Sequence, residues 1–160
     1  MIQLLKHTGK LIFDPQPLND PSNSMFKPFW VIVTLDDDLR EYYAWFLKKR
    51  YRITVQRPAW GAHISVVRGE ETTIQNWEYW KNIYNNKELE FEHGLIIKTN
   101  GGHWWLNINC PELFKLRTDM RYPKDTKFSF HLTLGMSIPQ HMERTAYIMR
   151  LYEKNLLNLD

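Results

Sequence analysis

Two short stretches pair an imidazole with a hydroxyl two residues on: His63-Ile64-Ser65 and His131-Leu132-Thr133. On an extended strand, side chains at i and i+2 leave the same face. Each stretch therefore presents a histidine and a hydroxyl together on a rigid element. Around the second, Phe128, Phe130, Leu132 and Leu134 alternate with Ser129, His131, Thr133 and Gly135, an apolar side backing a polar one. Around the first, Ala62, Ile64 and Val66 back His63 and Ser65. Two histidines facing one phosphodiester can divide the work. A neutral imidazole takes a proton from the nucleophile, and a protonated one gives a proton to the leaving oxygen. Both roles suit a side chain whose ordinary pKa is about 6.5. Ser65 and Thr133 would bond the non-bridging phosphate oxygens as negative charge builds on them.

Six histidines and fifteen Ser or Thr residues in this chain produce about half of one such spacing by chance. The plain alternative is a strand histidine bonded to a neighbouring hydroxyl and doing nothing else. Two matches, each with an apolar back face and each in a corresponding half of the chain, favour the chemical reading. That chemistry requires no metal, and no metal or other cofactor is expected. There is no His-Glu-x-x-His, no Cys/His ligand spacing and no carboxylate cluster of ligand type.

The elements that must position these residues follow from hydrophobic patterning and turn signals. Met1 to Phe13 reads as two short strands around His7-Thr8-Gly9, and Asp14 to Pro28, with four prolines, as a surface loop. Trp30 to Leu35 reads as a buried strand. Asp36 to Asp38 then start a helix to about Arg50, with Tyr43, Phe46 and Leu47 on one face and Lys48, Lys49 and Arg50 at its C-terminus. Ile53 to Val55 and Ala62 to Val67 read as strands, and Thr73 to Asn85 as a helix carrying Trp77, Trp80 and Tyr84. Leu89 to Phe91, Leu95 to Thr99 and His103 to Asn109 read as strands, the last after an Asn100-Gly101-Gly102 turn. A short helix over Glu112 to Met120, a strand over Phe128 to Leu134 and a helix over Gln140 to Leu156 complete an α+β chain. The order of elements is roughly duplicated between its halves.

The chain of 160 residues is the size of one domain, expected to span 1–160. A formal net charge of +3 suits an anionic small molecule or short nucleic acid better than long nucleic acid. Cys110 is the only cysteine, which excludes an internal disulfide and a cysteine-built zinc site. The apolar runs are far shorter than a membrane span, and no signal-peptide core opens the chain. A soluble, cytoplasmic protein without a membrane or stable protein partner is expected.

Paired His-x-Ser/Thr motifs on two strands, 68 residues apart in a chain of this length, resemble the 2H phosphoesterase superfamily. The resemblance covers most of the chain, from about Trp30 onward. It implies two pseudo-symmetric α+β lobes of antiparallel sheet with outer helices, the motif strands lining a central cleft. It implies His63, Ser65, His131 and Thr133 as the catalytic set. Within the superfamily the chain is most similar to phage anti-CBASS nucleases that cut cyclic di- and trinucleotide immune signals. Cleavage of such signals in an infected cell is then the first expectation. Hydrolysis of 2′,3′-cyclic phosphate RNA ends or of 2′-5′ oligoadenylate is the second, and a non-catalytic nucleotide sponge the third.

Further residues bear on substrate binding. Trp105 lies on the polar face of its strand with His103, Asn107 and Asn109, whereas Trp104, Leu106, Ile108 and Cys110 form a core face. Trp105 is thus a candidate base-stacking platform, as are Trp60 and Tyr122 near the motif strands. Arg57, Arg68 and Lys127 flank those strands and are candidates for phosphate, with Arg68 foremost. Packing for the aromatics and solvated charge for the cations are the plainer readings. His7, His93 and His141 have no hydroxyl at i+2 and read as structural or surface residues.

Overall fold

The computed structural model describes residues 4–18, 28–70, 76–124, 126 and 129–137. The helix expected over residues 140–156 lies outside them, as do part of the 14–28 loop and Lys127, Phe128 and His141. Seven strands and three helices are described: β1 Leu4–Phe13, β2 Val31–Thr34, α1 Asp38–Tyr51, β3 Val55–Gln56, β4 His63–Val67, α2 Trp77–Tyr84, β5 Glu88–Asn100, β6 His103–Asn109, α3 Pro111–Asp119 and β7 His131–Ser137. The chain is α+β.

All strand pairs are antiparallel, in the order β3-β7-β4-β2-β1-β5-β6, and β6 also pairs with β7. Six strands thereby close into a barrel-like sheet, which leaves them no long unpaired edge. The short β3 extends β7 beyond the reach of β4. A duplicated order is visible within the closure. β1, β2, α1 and β4, with the short β3 inserted before β4, form one half; β5, β6, α3 and β7 follow the same β-β-α-β succession without that insertion. The two halves meet at the β1–β5 and β4–β7 seams.

Two expected breaks are absent. Residues 4–13 form one strand instead of two around His7-Thr8-Gly9. β5 pairs with Leu4 to Lys10 and β2 with Lys10 to Phe13, so the strand is paired along its whole length. Gly9 serves close packing: a Cβ there would run into Val33 Cγ1 and the Thr34 carbonyl oxygen. Likewise β5 is continuous where two strands were expected. A register irregularity between His93 and Ile97 leaves Leu95 and Ile96 exposed without ending the strand.

Among the described residues the core is one cluster to which all three described helices contribute. Tyr43 and Leu47 of α1, Trp77 of α2, and Leu113 and Leu116 of α3 join Val33, Ile64, Leu106, Leu132 and Leu134 of the sheet. Acidic Asp38 and Glu41 open α1 and Lys48, Lys49 and Arg50 close it, in keeping with its dipole. Arg52, left-handed at φ 59°, ends the helix and returns its N–H to the Leu47 and Lys48 carbonyls. Among the described residues no helix is long and apolar enough to cross a membrane.

Candidate active site

β4 and β7 begin with His63 and His131, and Ile64 lies directly opposite Leu132. Because the strands are antiparallel about that pair, His63 falls across from Thr133 and Ser65 across from His131. The two spacings are thus brought together crosswise on one face. Their other face is fully apolar: Ile64, Leu132 and Leu134 have no solvent exposure. Period-two alternation on two neighbouring strands suffices to put all four polar side chains together.

Each histidine is tied the same way. His63 Nδ1 lies 2.8 Å from the Gly61 carbonyl oxygen, and His131 Nδ1 lies 2.8 Å from that of Ser129. A carbonyl oxygen can only accept, so both Nδ1 atoms carry the hydrogen. The neutral rings then keep an Nε2 lone pair unused by these bonds. Such a pair of imidazoles can accept a proton at one Nε2 and donate one from the other.

The surroundings of the two rings differ. His63 is buried, at 6% exposure, whereas His131 is half-buried. Burial pushes the His63 pKa below the ordinary histidine value; the Gly61 bond opposes this, while the Arg68 and His131 charges add to it. Beside each ring stands a tryptophan. Trp60 meets His63 edge-on at 6.3 Å, and Trp105 is tilted against His131 at 5.9 Å. Trp105 pairs across the ladder with Thr133, and Asn107 with His131. The Trp105 indole N–H donates to Asn107 Oδ1 at 3.2 Å. On the His63 side, Trp60 packs at 5.4 Å against Trp30, and the Arg68 guanidinium lies 4.8 Å over the Trp30 ring.

Of the residues singled out by sequence, His63, Ser65, His131, Thr133, Trp105, Trp60 and Arg68 therefore gather around the β4–β7 seam. Tyr122 has a different place. It belongs to the buried core, its ring 5.5 Å from the Arg117 guanidinium, because the turn after α3 folds it inward. Arg117 is itself wholly buried and binds the Val66 carbonyl and Glu70. Arg57 is engaged by Asp37. Trp30 and Asp37 were not recognised as neighbours of the site: Trp30 reads as the start of a core strand and Asp37 as a helix cap.

His7 and His93, read from the sequence as structural or surface residues, pack against each other on β1 and β5. Their Nε2 atoms are 3.1 Å apart, and His93, fully buried, donates from Nδ1 to the Gly94 carbonyl. Among the described residues no three His, Cys, Asp or Glu side chains gather as a metal-ligand set. In comparisons with family models, curated proteins and solved structures, nothing matches the chain.

Proposed function

We propose that the chain is a metal-independent phosphodiesterase of the 2H type, acting on cyclic oligonucleotides with 3′-5′ linkages. The observation that carries this reading is the crosswise facing of two histidine–hydroxyl pairs on adjacent strands, both rings tied at Nδ1. The repeated β-β-α-β halves, meeting at the motif strands, support the two-lobed fold of that superfamily.

His63 acts as the general base. Its burial and the nearby Arg68 charge keep it neutral at neutral pH, the state a base needs. It removes the proton of the ribose 2′-OH, whose oxygen attacks the adjacent phosphorus. The bond from phosphorus to the 5′ oxygen breaks, and His131, protonated at Nε2, supplies the proton to that oxygen. The product ends in a 2′,3′-cyclic phosphate. Ser65 and Thr133 donate to the non-bridging oxygens, where charge grows. Trp105 and Trp60 take a base on either side of the scissile phosphate, and Arg68 balances its charge.

The test is product analysis by chromatography and mass spectrometry in EDTA, with 3′,3′- and 2′,3′-linked cyclic dinucleotides and cyclic trinucleotides. A 2′-5′ oligoadenylate and an RNA with a 2′,3′-cyclic phosphate end run in parallel. Linear products from the cyclic compounds, lost in His63→Ala and His131→Ala, are expected. Turnover confined to the RNA end or the oligoadenylate would replace the substrate assignment. Quantitative recovery of every compound, bound but intact, would make the site a sponge.

A further inference from the structure

We propose that Asp37 is a positioning residue for His63, acting through the peptide group that joins Gly61 to Ala62. This rests on the reading of His63 as the base.

Asp37 occupies the N-cap position of α1, where an aspartate ordinarily accepts from the backbone of the helix it precedes. Its side chain makes no cap bond. The carboxylate turns instead to the segment entering β4. Oδ1 accepts the Ala62 N–H at 2.7 Å, and Oδ2 accepts from Arg57 Nε, with Arg40 Nε at 3.9 Å.

The Ala62 N–H and the Gly61 carbonyl belong to one planar peptide group and point in opposite directions. Asp37 holds the N–H end; His63 Nδ1 donates to the carbonyl end at 2.8 Å. The chain of contacts runs carboxylate, amide, imidazole. A charge-assisted bond to the N–H polarises the amide and strengthens the carbonyl as an acceptor. Asp37 thus fixes the plane of the peptide, the hydrogen on Nδ1 and the direction of Nε2. Once His63 has taken a proton, the same relay stabilises the imidazolium from a distance.

The local backbone is shaped for this contact. Gly61 is left-handed at φ 68°, and a Cβ there would lie 3.1 Å from Asp37 Oδ1. Burial by itself raises the Asp37 carboxyl; its bonds to Arg57 and Ala62 and the charges of Arg57 and Arg40 outweigh that and hold it below the usual carboxylate range. It therefore carries its charge wherever His63 titrates. Among the described residues, the charged and titratable neighbours of His63 are then Arg68 just past the end of its strand, His131 on β7 and Asp37 behind the peptide. Among the described residues no carboxylate holds the corresponding Phe130 N–H behind His131.

The experiment follows the His63 ring nitrogens by nitrogen-15 NMR in the wild type, Asp37→Asn and Asp37→Ala, beside the pH–rate profile on a cleaved cyclic dinucleotide. In the wild type His63 is expected as a single Nδ1–H tautomer. In Asp37→Ala the tautomers mix, and the His63 titration and acid limb of the profile move to lower pH. kcat falls roughly tenfold to a hundredfold with little change in KM. Asp37→Asn retains an acceptor for Ala62 N–H but no charge; it keeps the tautomer and still shifts the titration downward. It serves if Asp37→Ala does not fold. An unaltered tautomer in folded Asp37→Ala, or an unaltered titration in Asp37→Asn, would overturn the proposal. The NMR readout needs no substrate, so failure of the phosphodiesterase assignment is seen separately, as absence of cleavage by the wild type.

Discussion

Ile64 sits directly opposite Leu132, each the second residue of one of two antiparallel strands that begin with a histidine. This single register sets each histidine across from the other motif's hydroxyl. A shift by one residue would turn one motif onto the apolar face and dismantle the group.

In the proposed mechanism the two imidazoles share one step, so their removal is expected to be non-additive. His63→Ala and His131→Ala should each lower kcat about 10²- to 10⁴-fold, and the double variant little further. Ser65→Ala and Thr133→Val should cost less, about tenfold to a hundredfold. Rates measured on one cyclic dinucleotide decide this; independent, multiplying losses for the two histidines would argue against a shared transition state.

Trp105 offers a simpler test of base stacking than Trp60, whose indole also packs on Trp30 and donates to the Pro15 carbonyl. Trp105→Ala should weaken kcat/KM by about 1–3 kcal/mol per stacked base, roughly fivefold to a hundred-and-fiftyfold. Trp105→Phe should restore much of it. If the alanine variant lost nothing while remaining folded, Trp105 would be surface decoration.

Acid should destabilise the protein partly through His63. Burial holds its folded-state pKa below about 6.5, so the unfolded chain takes up this proton first as the pH falls. The stabilisation is complete above about pH 6.5 and is lost as the pH falls toward the folded-state value. His7, lowered by burial and by His93, acts in the same direction. Urea midpoints between pH 7 and pH 5 should therefore drop, and drop less in His63→Asn; identical slopes would contradict the burial argument. In the proposed mechanism the same lowered pKa is expected to put the acid limb of the pH–rate profile below about pH 6.5.

Gly135 is expected to be the glycine of β7 that tolerates no side chain. Its φ of 142° is strained for other residues, and a Cβ would collide with the Gln56 backbone carbonyl of β3. Gly135→Ala should cost more than about 1–3 kcal/mol of stability by chemical denaturation, since strain and collision add. A midpoint equal to wild type would mean that β3 can leave β7 without cost.

Only local relationships were legible in the sequence. Alternation with a period of two put Ser65 beside His63, Thr133 beside His131 and Trp105 among the polar residues of its strand, and it marked Ile64, Leu106 and Leu132 as core. These follow from strand geometry alone, which repeats every two residues wherever the strand lies. Tertiary structure decided the rest. Whether residues 4–13 form one strand or two depends on partners in β2 and β5, not on Gly9. Tyr122 went to the core because Arg117 and the turn after α3 claim it. Trp30 came to lie against Trp60, and Asp37 on the Ala62 N–H, because the chain entering β4 runs back past β2 and the start of α1. The difference between the two histidines, one buried and backed by a carboxylate, also arises there. Burial and carboxylate contact are set by distant segments packing together, and short-range spacing carries no record of them.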